Sequence, residues 1–468
     1  MAAIMPANRY DRIRRLVFED ILGLEEREYV AVAWSFAYFF CVLSSYYILR
    51  PVRESMAVGS GPNTIPWLFF GTFVAMIVVT PIFGWVTSRF SRHQFLPWVY
   101  VFFISNILIF WVLFSIAVPI AAVLQEITDF ISRVTPIWSP TNNTDLIWLG
   151  RIFFVWISIF NLFVVSVFWS FMADIYTREQ GRRLFGFVTA GGSIGALIGG
   201  SATSLLVEDI GFQNLFPIAA GVLLVAVVCI FRLREFVEKD KSGAVAKQAT
   251  IEKPLGGNPF AGITHIAGSK YFLGIAFTSV IASLLGTALY MFMAQLIEVE
   301  ITDPNGRTAF FSNINNWTNG LSLLGQMLIV KHVVKRFGIG TSLTLLPIAS
   351  IAGFIILAFE PTLLFVAILT VLRRALGFGF SKPTTDMLYS VVTPEEKYKT
   401  KNFIDTAIYR GGDLVGTLII RGMIALGMGI AAVSVAMVPF AAAWGAVSYW
   451  LGRDYRRQAK QLKESGIA

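Results

Sequence analysis

An all-α membrane protein of twelve transmembrane helices, arranged as two pseudo-symmetric six-helix bundles, is the fold class this sequence predicts. Three observations predict it. Hydrophobic residues make up 56% of the 468 positions and charged ones only 14%, too little charge to cover the surface of a soluble chain this long. Charge-free runs of the ~20 residues a bilayer crossing needs recur at 30–49, 65–87, 94–118, 152–173, 184–207, 210–231, 271–297, 308–330, 337–359 and 422–450. Two further spans that carry charges, around 362–388 and 402–426, complete the twelve. The second half also echoes the first. Arg89-Phe-Ser with Leu96-Pro97 returns as Arg336-Phe-Gly with Leu346-Pro347, and Thr177-x-Glu179 with GGSIG at 191–195 returns as Thr393-x-Glu395 with GGDLVG at 411–416. Weak symmetry between two six-helix halves marks transporters whose site lies near the midplane at the repeat interface.

Charge then sets the topology. Basic residues crowd alternate loops: Arg89 and Arg92; Arg178, Arg182 and Arg183; Lys331, Lys335 and Arg336; Lys397, Lys399 and Lys401. The opposite loops hold Glu126, Asp129, Asp145, Glu208, Asp209, Glu300, Asp303 and Glu360, with Arg133 and Arg307 as exceptions. The positive-inside rule puts the basic set and both termini in the cytoplasm of a bacterial-type inner membrane. The net charge of +9 is thus topogenic and lipid-facing, and no nucleic-acid partner is expected. The predicted domains are a cytoplasmic amphipathic lead-in at 1–28, a bundle at 29–232, a mixed-charge Gly/Pro linker at 233–270, a second bundle at 271–452 and a basic tail at 453–468. The lead-in lacks a short apolar region with a small-residue cleavage site. Cys41 and Cys229 both fall within predicted spans, which leaves no disulfide framework or cysteine metal site.

The first span ends in YYILRPVRESM at 46–56. Pro51 removes a backbone donor and predicts a kink or unwinding there, with Arg50, Arg53 and Glu54 at the break. Snorkelling to the interface competes with a substrate-facing role; a proline between two arginines favours the latter. The loop at 119–145 repeats apolar residues at near-helical spacing (Ile127, Phe130, Ile131, Val134) and predicts an amphipathic surface helix. Gly191, Gly195 and Gly199 predict close helix packing; no strand precedes them, which rules out a dinucleotide loop. Asn313, Asn315, Asn316 and Asn319 make the start of the eighth span amide-rich, either lining a cavity or bonding between helices.

Residues 371–416 are the densest intramembrane charge. Arg373 and Arg374 close the tenth span, a Lys/Glu-rich loop follows, and Asp405, Arg410 and Asp413 open the eleventh. Buried charge is expensive unless it faces a cavity or a partner, so these groups predict a polar path, hence transport. The i,i+3 spacing of Arg410–Asp413 and the i,i+4 spacing of Lys382–Asp386 predict internal pairs. The forked donors of arginine suit phosphate or carboxylate. His93, His265 and His332 lie far apart and form no box with carboxylates. No metal-ligand spacing or nucleophile elbow appears, so no enzyme and no cofactor are expected.

Three stretches resemble the ATP:ADP antiporter family of the major facilitator superfamily: ILRPVRESMAV at 48–58, LIEV at 296–299, and Tyr389 through EEKYKTKNFID (395–405) to RGGD (410–413). FWSF at 168–171 is also similar. Gly84, Arg89, Arg92, His93 and Leu96 resemble the superfamily's inter-helix loop motif, with Ser88 at its usual acidic position. The resemblance implies functional charges at Arg53, at Glu298, and at Lys399 or Lys401; the family's glutamate in the fourth helix has no counterpart in 152–173. It implies alternating-access transport of a nucleotide-like anion, such as ATP/ADP or another phosphorylated metabolite, by exchange. The site residues expected are Arg50, Arg53, Glu54, Glu298, Arg373, Arg374, Lys399, Lys401, Asp405, Arg410 and Asp413, in a monomer surrounded by membrane lipid. Rival readings are a proton-coupled carrier of another organic anion or drug, with Glu54 or Asp413 as proton site, and a non-transporting scaffold.

Overall fold

The computed structural model describes residues 28–89, 92–134, 144–239, 266–326, 330–393, 396, 400–401 and 403–464. The lead-in, most of the linker and Lys399 lie outside the described residues. Helices follow the apolar runs: α1 (Tyr29–Gly59), α2 (Ile65–Arg89), α3 (Arg92–Val134), α4 (Thr144–Ile175), α5 (Arg178–Ile210) and α6 (Leu215–Lys239), then α7 (Lys270–Glu300), α8 (Pro304–Leu324), α9 (Val330–Phe359), α10 (Leu363–Leu376), α11 (Tyr409–Ala425) and α12 (Ile430–Glu464). Among the described residues ten helices are long and apolar enough to cross a membrane. The amide-rich α8 and the short, charged α11 fall outside that set.

The chain divides into two compact units, Met1–Arg53 with Val78–Ile251, and Glu54–Ile77 with Glu252–Ala468. The core of the first is aromatic. Rings of α3 and α4 meet edge to face, Phe103 on Phe160 at 5.2 Å and Phe110 on Phe153 at 5.2 Å, and Phe153 reaches Phe216 of α6 at 5.1 Å. Such pairs add ~1 kcal/mol each beyond area burial. A buried polar line crosses this core: the Tyr38 hydroxyl donates to Tyr100 at 2.6 Å, and Tyr100 donates to the Val164 carbonyl at 2.9 Å.

The glycine spacing on α5 does what its period predicts. A Cβ at Gly191 would stand 2.6 Å from the Phe36 carbonyl oxygen, and Cβ atoms at Gly195 and Gly199 would run into the carbonyls of Phe40 and Ser44. These three glycines therefore let α5 lie backbone to backbone on α1. In the second unit α11 uses the same device against α7, where Gly412 faces Val280 and Ser283 and Gly416 faces Leu284 and Thr287.

The two echoing threonines also fold alike. Thr177 forms a capping box with Gln180 at the start of α5. Thr393 accepts from the Glu396 amide at 3.4 Å while its own N–H and hydroxyl reach the Glu396 carboxylate at 3.1 and 2.8 Å. Each pairing satisfies donors that a helix start leaves open.

Two expectations change. First, α1 runs unbroken through Pro51. A membrane helix tolerates a proline in its interior; one turn before Pro51 the Thr203 hydroxyl of α5 ties α1 to its neighbour by donating to the Ile48 carbonyl at 3.0 Å. Arg50, Arg53 and Glu54 thus sit on a continuous helix. Second, residues 119–134 form no separate surface helix but continue α3, which is 43 residues long. The helical periodicity of that stretch was legible, and α3 continues through Pro119 at its junction with the apolar run. The linker likewise starts later than residue 233, because α6 extends to Lys239.

In the second unit α7, α8, α9, α10 and α12 surround a core built on Leu285, Phe292, Phe311, Phe354, Val366 and Met437. Val58 and Ile65, from the end of α1 and the start of α2, belong to the same core. A π-turn at Gly377–Ser381 follows α10 and another at Ile404–Ile408 precedes α11. Turns of this kind gather at functional sites, and both lie on the two charged spans.

Candidate functional site

In the first unit, α1 presents two guanidinium groups against aromatic faces. Arg50 donates to the Tyr47 hydroxyl at 3.1 Å, with its guanidinium carbon 5.3 Å from that ring's centre. Arg53 lies over Phe154 of α4 at 4.6 Å and donates to Ser158 at 3.2 Å. Guanidinium planes stack well on rings because they are weakly hydrated. Stacking fixes the position of both guanidinium groups.

The second unit holds the larger cluster. Arg373 of α10 donates to the Ala282 carbonyl of α7, and its Nη1 lies 2.8 Å from where a Gly286 Cβ would stand. Gly286 thus makes room for the guanidinium. Asp413 and Tyr409 of α11 act electrostatically on the same arginine. Asp413 is 9% exposed; it accepts from the Ser283 hydroxyl of α7 and pairs with Arg410 at 3.4 Å. The predicted Arg410–Asp413 pair is present, and Ser283 is a partner the sequence did not reveal. Arg374, next on α10, turns to Asn315 of α8 and donates to its Oδ1 at 3.3 Å.

A second network joins the segment after α10 to the start of α11. Lys382 reaches both carboxylate oxygens of Asp405 at 2.7 Å and Asp386 at 3.3 Å, and Lys401 reaches Asp386 at 3.0 Å. The i,i+4 pair Lys382–Asp386 is present as expected. Asp405 and Lys401, both expected at the substrate, make these pairs. Their pairs are about 30–45% exposed, so each contributes little stability by itself.

Glu54 and Glu298 occupy different settings. Glu54 is 6% exposed and accepts from the Tyr290 hydroxyl of α7 at 2.7 Å. Glu298 is exposed near the end of α7, close to the Gly61 turn, and its carbonyl accepts from Arg307 at 3.4 Å. Arg307 also donates to the Ile301 carbonyl at 2.5 Å, so it closes the C-terminus of α7, where a cation complements the helix dipole. Sequence reasoning treated Arg307 only as a topological exception.

Removing Asp413 strands Arg410, whose side chain is 38% exposed and so partly screened by solvent. Asp413→Ala is therefore expected to destabilise the protein by about 1 kcal/mol, read as a lower unfolding midpoint in detergent. The double change Arg410→Met with Asp413→Leu is expected to recover more than half of that loss. A double variant as unstable as Asp413→Ala would show that the pair does not account for the effect.

Residues 33–417 match the family model of the Major Facilitator Superfamily. The chain belongs to that superfamily. Its membership makes this an integral multi-pass membrane protein and accounts for the all-helical build. Among curated superfamily relatives, ADP,ATP carrier protein 1 of Chlamydia trachomatis is 23% identical, covering 89% of this chain and 86% of its own. ADP,ATP carrier protein 2 of the Arabidopsis thaliana chloroplast is 20% identical over 82% of this chain and 68% of its own. Of solved superfamily-like structures, a bacterial homologue of the iron transporter ferroportin aligns with a TM-score of 0.54 at 13% identity, over 95% of this chain and 98% of its own. A mutant of the nucleoside transporter NupG aligns at 0.50 and 14% identity, over 92% and 100%. At these identities the structures show the fold alone.

Proposed function

We propose that this protein is a secondary active transporter that carries a nucleotide-like anion by alternating access, exchanging one such solute for another. The likeness to ADP,ATP carriers along most of both chains carries the reading. The arginines fit it. Arg50 and Arg53 on aromatic faces, and Arg373 and Arg374 on α10, supply fixed charge with forked donors for phosphoryl oxygens. Lys399, Lys401, Asp405, Arg410, Asp413, Glu54 and Glu298 complete the proposed set, with the carboxylates balancing charge between cycles. Reorienting these cations without an anion exposes them to apolar surroundings; a bound anion lowers that barrier and couples the two directions of transport. Twelve crossings, cytoplasmic termini, bundles at 29–232 and 271–452, an inner-membrane location and a monomeric carrier complete the proposal, supported by the loop charges and helix order.

A thermal-unfolding screen of the purified protein tests the substrate class. ATP and ADP, at a hundred times their dissociation constants, are expected to stabilise it by about 2.7 kcal/mol, ahead of sugar phosphates and carboxylates. Stabilisation by a carboxylate alone would overturn the nucleotide reading. One observation favours a second reading, coupling to protons: Glu54 is a buried carboxylate hydrogen-bonded to a tyrosine. Uptake driven by an imposed pH gradient in vesicles with no internal nucleotide would favour it.

A further inference from the structure

Between α7, α11 and α12 the second unit carries an apolar groove of about 790 Å³. Its walls include Leu273 and Phe277 of α7, Gly411 and Val415 of α11, and Val447 and Trp450 of α12, and every lining residue is apolar or glycine. Leu273 is 48% exposed, Val415 50% and Trp450 40%, so the groove opens outward, toward the bilayer. The echoing glycine pair of the first unit leaves no such space. There a Cβ on Gly191 would stand 2.6 Å from the Phe36 carbonyl oxygen, and one on Gly192 would meet the Phe39 ring. In the second unit Gly412 still faces α7, but a Cβ on Gly411 would meet nothing within 4 Å. The missing side chain at 411 keeps the groove open.

Where the groove ends, charge begins. Trp450 crosses α7 at Gly274, where an added Cβ would stand 2.7 Å from the indole. The start of α7 and the charged end of α12 therefore lie side by side, and Asp454 and Tyr455 act electrostatically on Tyr271. Lys270 lies one turn before Leu273 and Gly274, while Arg453 and Arg457 lie one and two turns beyond Trp450 on its side of α12. All three cations are exposed, and none pairs with a carboxylate among the described residues. Lys460, by contrast, pairs with Glu464 at 3.7 Å, and Asp454 accepts from Gln458 at 2.9 Å. Spanning helices turn charged where they leave the hydrocarbon, with aromatic residues such as Tyr449 and Trp450 at that level. The groove thus reaches the membrane surface beside three cations without a counter-charge.

That combination specifies its occupant. An apolar groove open to the bilayer excludes water and solutes and accepts an acyl chain. Basic residues gathered at the surface attract an anionic headgroup, whereas a zwitterionic one brings its own cation and gains less. We propose that the α7–α11–α12 groove binds an anionic phospholipid, one acyl chain lying along Gly411 and the headgroup meeting Lys270 and Arg453. The site uses none of the groups assigned to the transported solute and does not depend on the nucleotide reading.

The test titrates the full-length purified protein in detergent with phosphatidylglycerol, with phosphatidylcholine of the same acyl chains, and with glycerol 3-phosphate, reading the unfolding midpoint. Wild type is expected to bind phosphatidylglycerol at least about tenfold more tightly than phosphatidylcholine, and glycerol 3-phosphate is expected to give no shift. Changing Lys270→Gln with Arg453→Gln should bring phosphatidylglycerol down to the phosphatidylcholine level, while Lys460→Gln keeps the preference. Gly411→Leu fills the groove and should weaken phosphatidylglycerol by about tenfold or more. Gly221→Leu on α6, where a Cβ also meets nothing within 4 Å, is the control and should leave its affinity unchanged. If Gly411→Leu fails to fold, Val415→Trp fills the same groove and should show the same loss. Equal binding of the two lipids by wild type, or an undiminished preference in the double variant, would overturn the proposal. So would wild-type affinity in the groove-filling variant, or glycerol 3-phosphate matching the whole lipid. A wild type that is dimeric and becomes monomeric with Gly411→Leu would overturn it in favour of a second copy of the chain.

Discussion

Arg373→Ala is expected to lower nucleotide uptake into proteoliposomes at least a hundredfold, about 2.7 kcal/mol of lost transition-state binding, in protein that still inserts and folds. The magnitude follows from the residue's setting. Its guanidinium spans from α10 to the Ala282 carbonyl of α7, over Gly286, in the field of Asp413. Alanine leaves Asp413 with Arg410, a partner about a third exposed, and removes a fixed fork near the proposed phosphates. Arg373→Lys keeps the charge and loses the planar fork, so it should recover only part of the rate. Full activity in Arg373→Lys would show that charge alone matters. Undiminished activity in Arg373→Ala would remove the residue from the site.

The second large effect is structural. Gly195→Leu is expected to prevent accumulation of folded protein. Gly195→Ala should destabilise by about 2 kcal/mol or more, since overpacking a rigid contact forces backbone shifts. The added Cβ would strike the backbone of Phe40, not a side chain that could turn aside. Gly186→Ala on the same helix is the control: a Cβ there meets nothing within 4 Å, and alanine is the better helix former by about 1 kcal/mol. It should therefore leave the midpoint unchanged or raise it. A Gly195→Ala protein as stable as wild type would mean that α1 and α5 separate at little cost.

The contrast between these residues shows what was legible in the sequence. Helix positions were, because apolar runs of bilayer length dominate the chain. So were the packing face of glycines on α5, though not its partner α1, and the Arg410–Asp413 and Lys382–Asp386 pairs, since helical spacing alone sets those positions on one face. The partners that define the charged sites were not. Ser283 lies 130 residues from Asp413, Tyr290 lies 236 from Glu54, and Ser158 lies 105 from Arg53. A serine or tyrosine in an apolar span carries no local signal of which charge it will meet. At Pro51 the local rule predicts a kink or unwinding, and the helix does not unwind there. The amides of α8 did signal polarity, but not that Asn315 would divide its bonds between Arg374 and an open donor.

Counterflow measures the central claim most directly. Purified protein is reconstituted into vesicles loaded with either ADP or buffer alone, and uptake of labelled ATP is followed. The exchange account predicts rapid uptake into ADP-loaded vesicles and less than about a tenth of that rate into empty ones, because unliganded cations oppose reorientation. Equal uptake into empty vesicles would contradict exchange, and no uptake into either would contradict nucleotide transport.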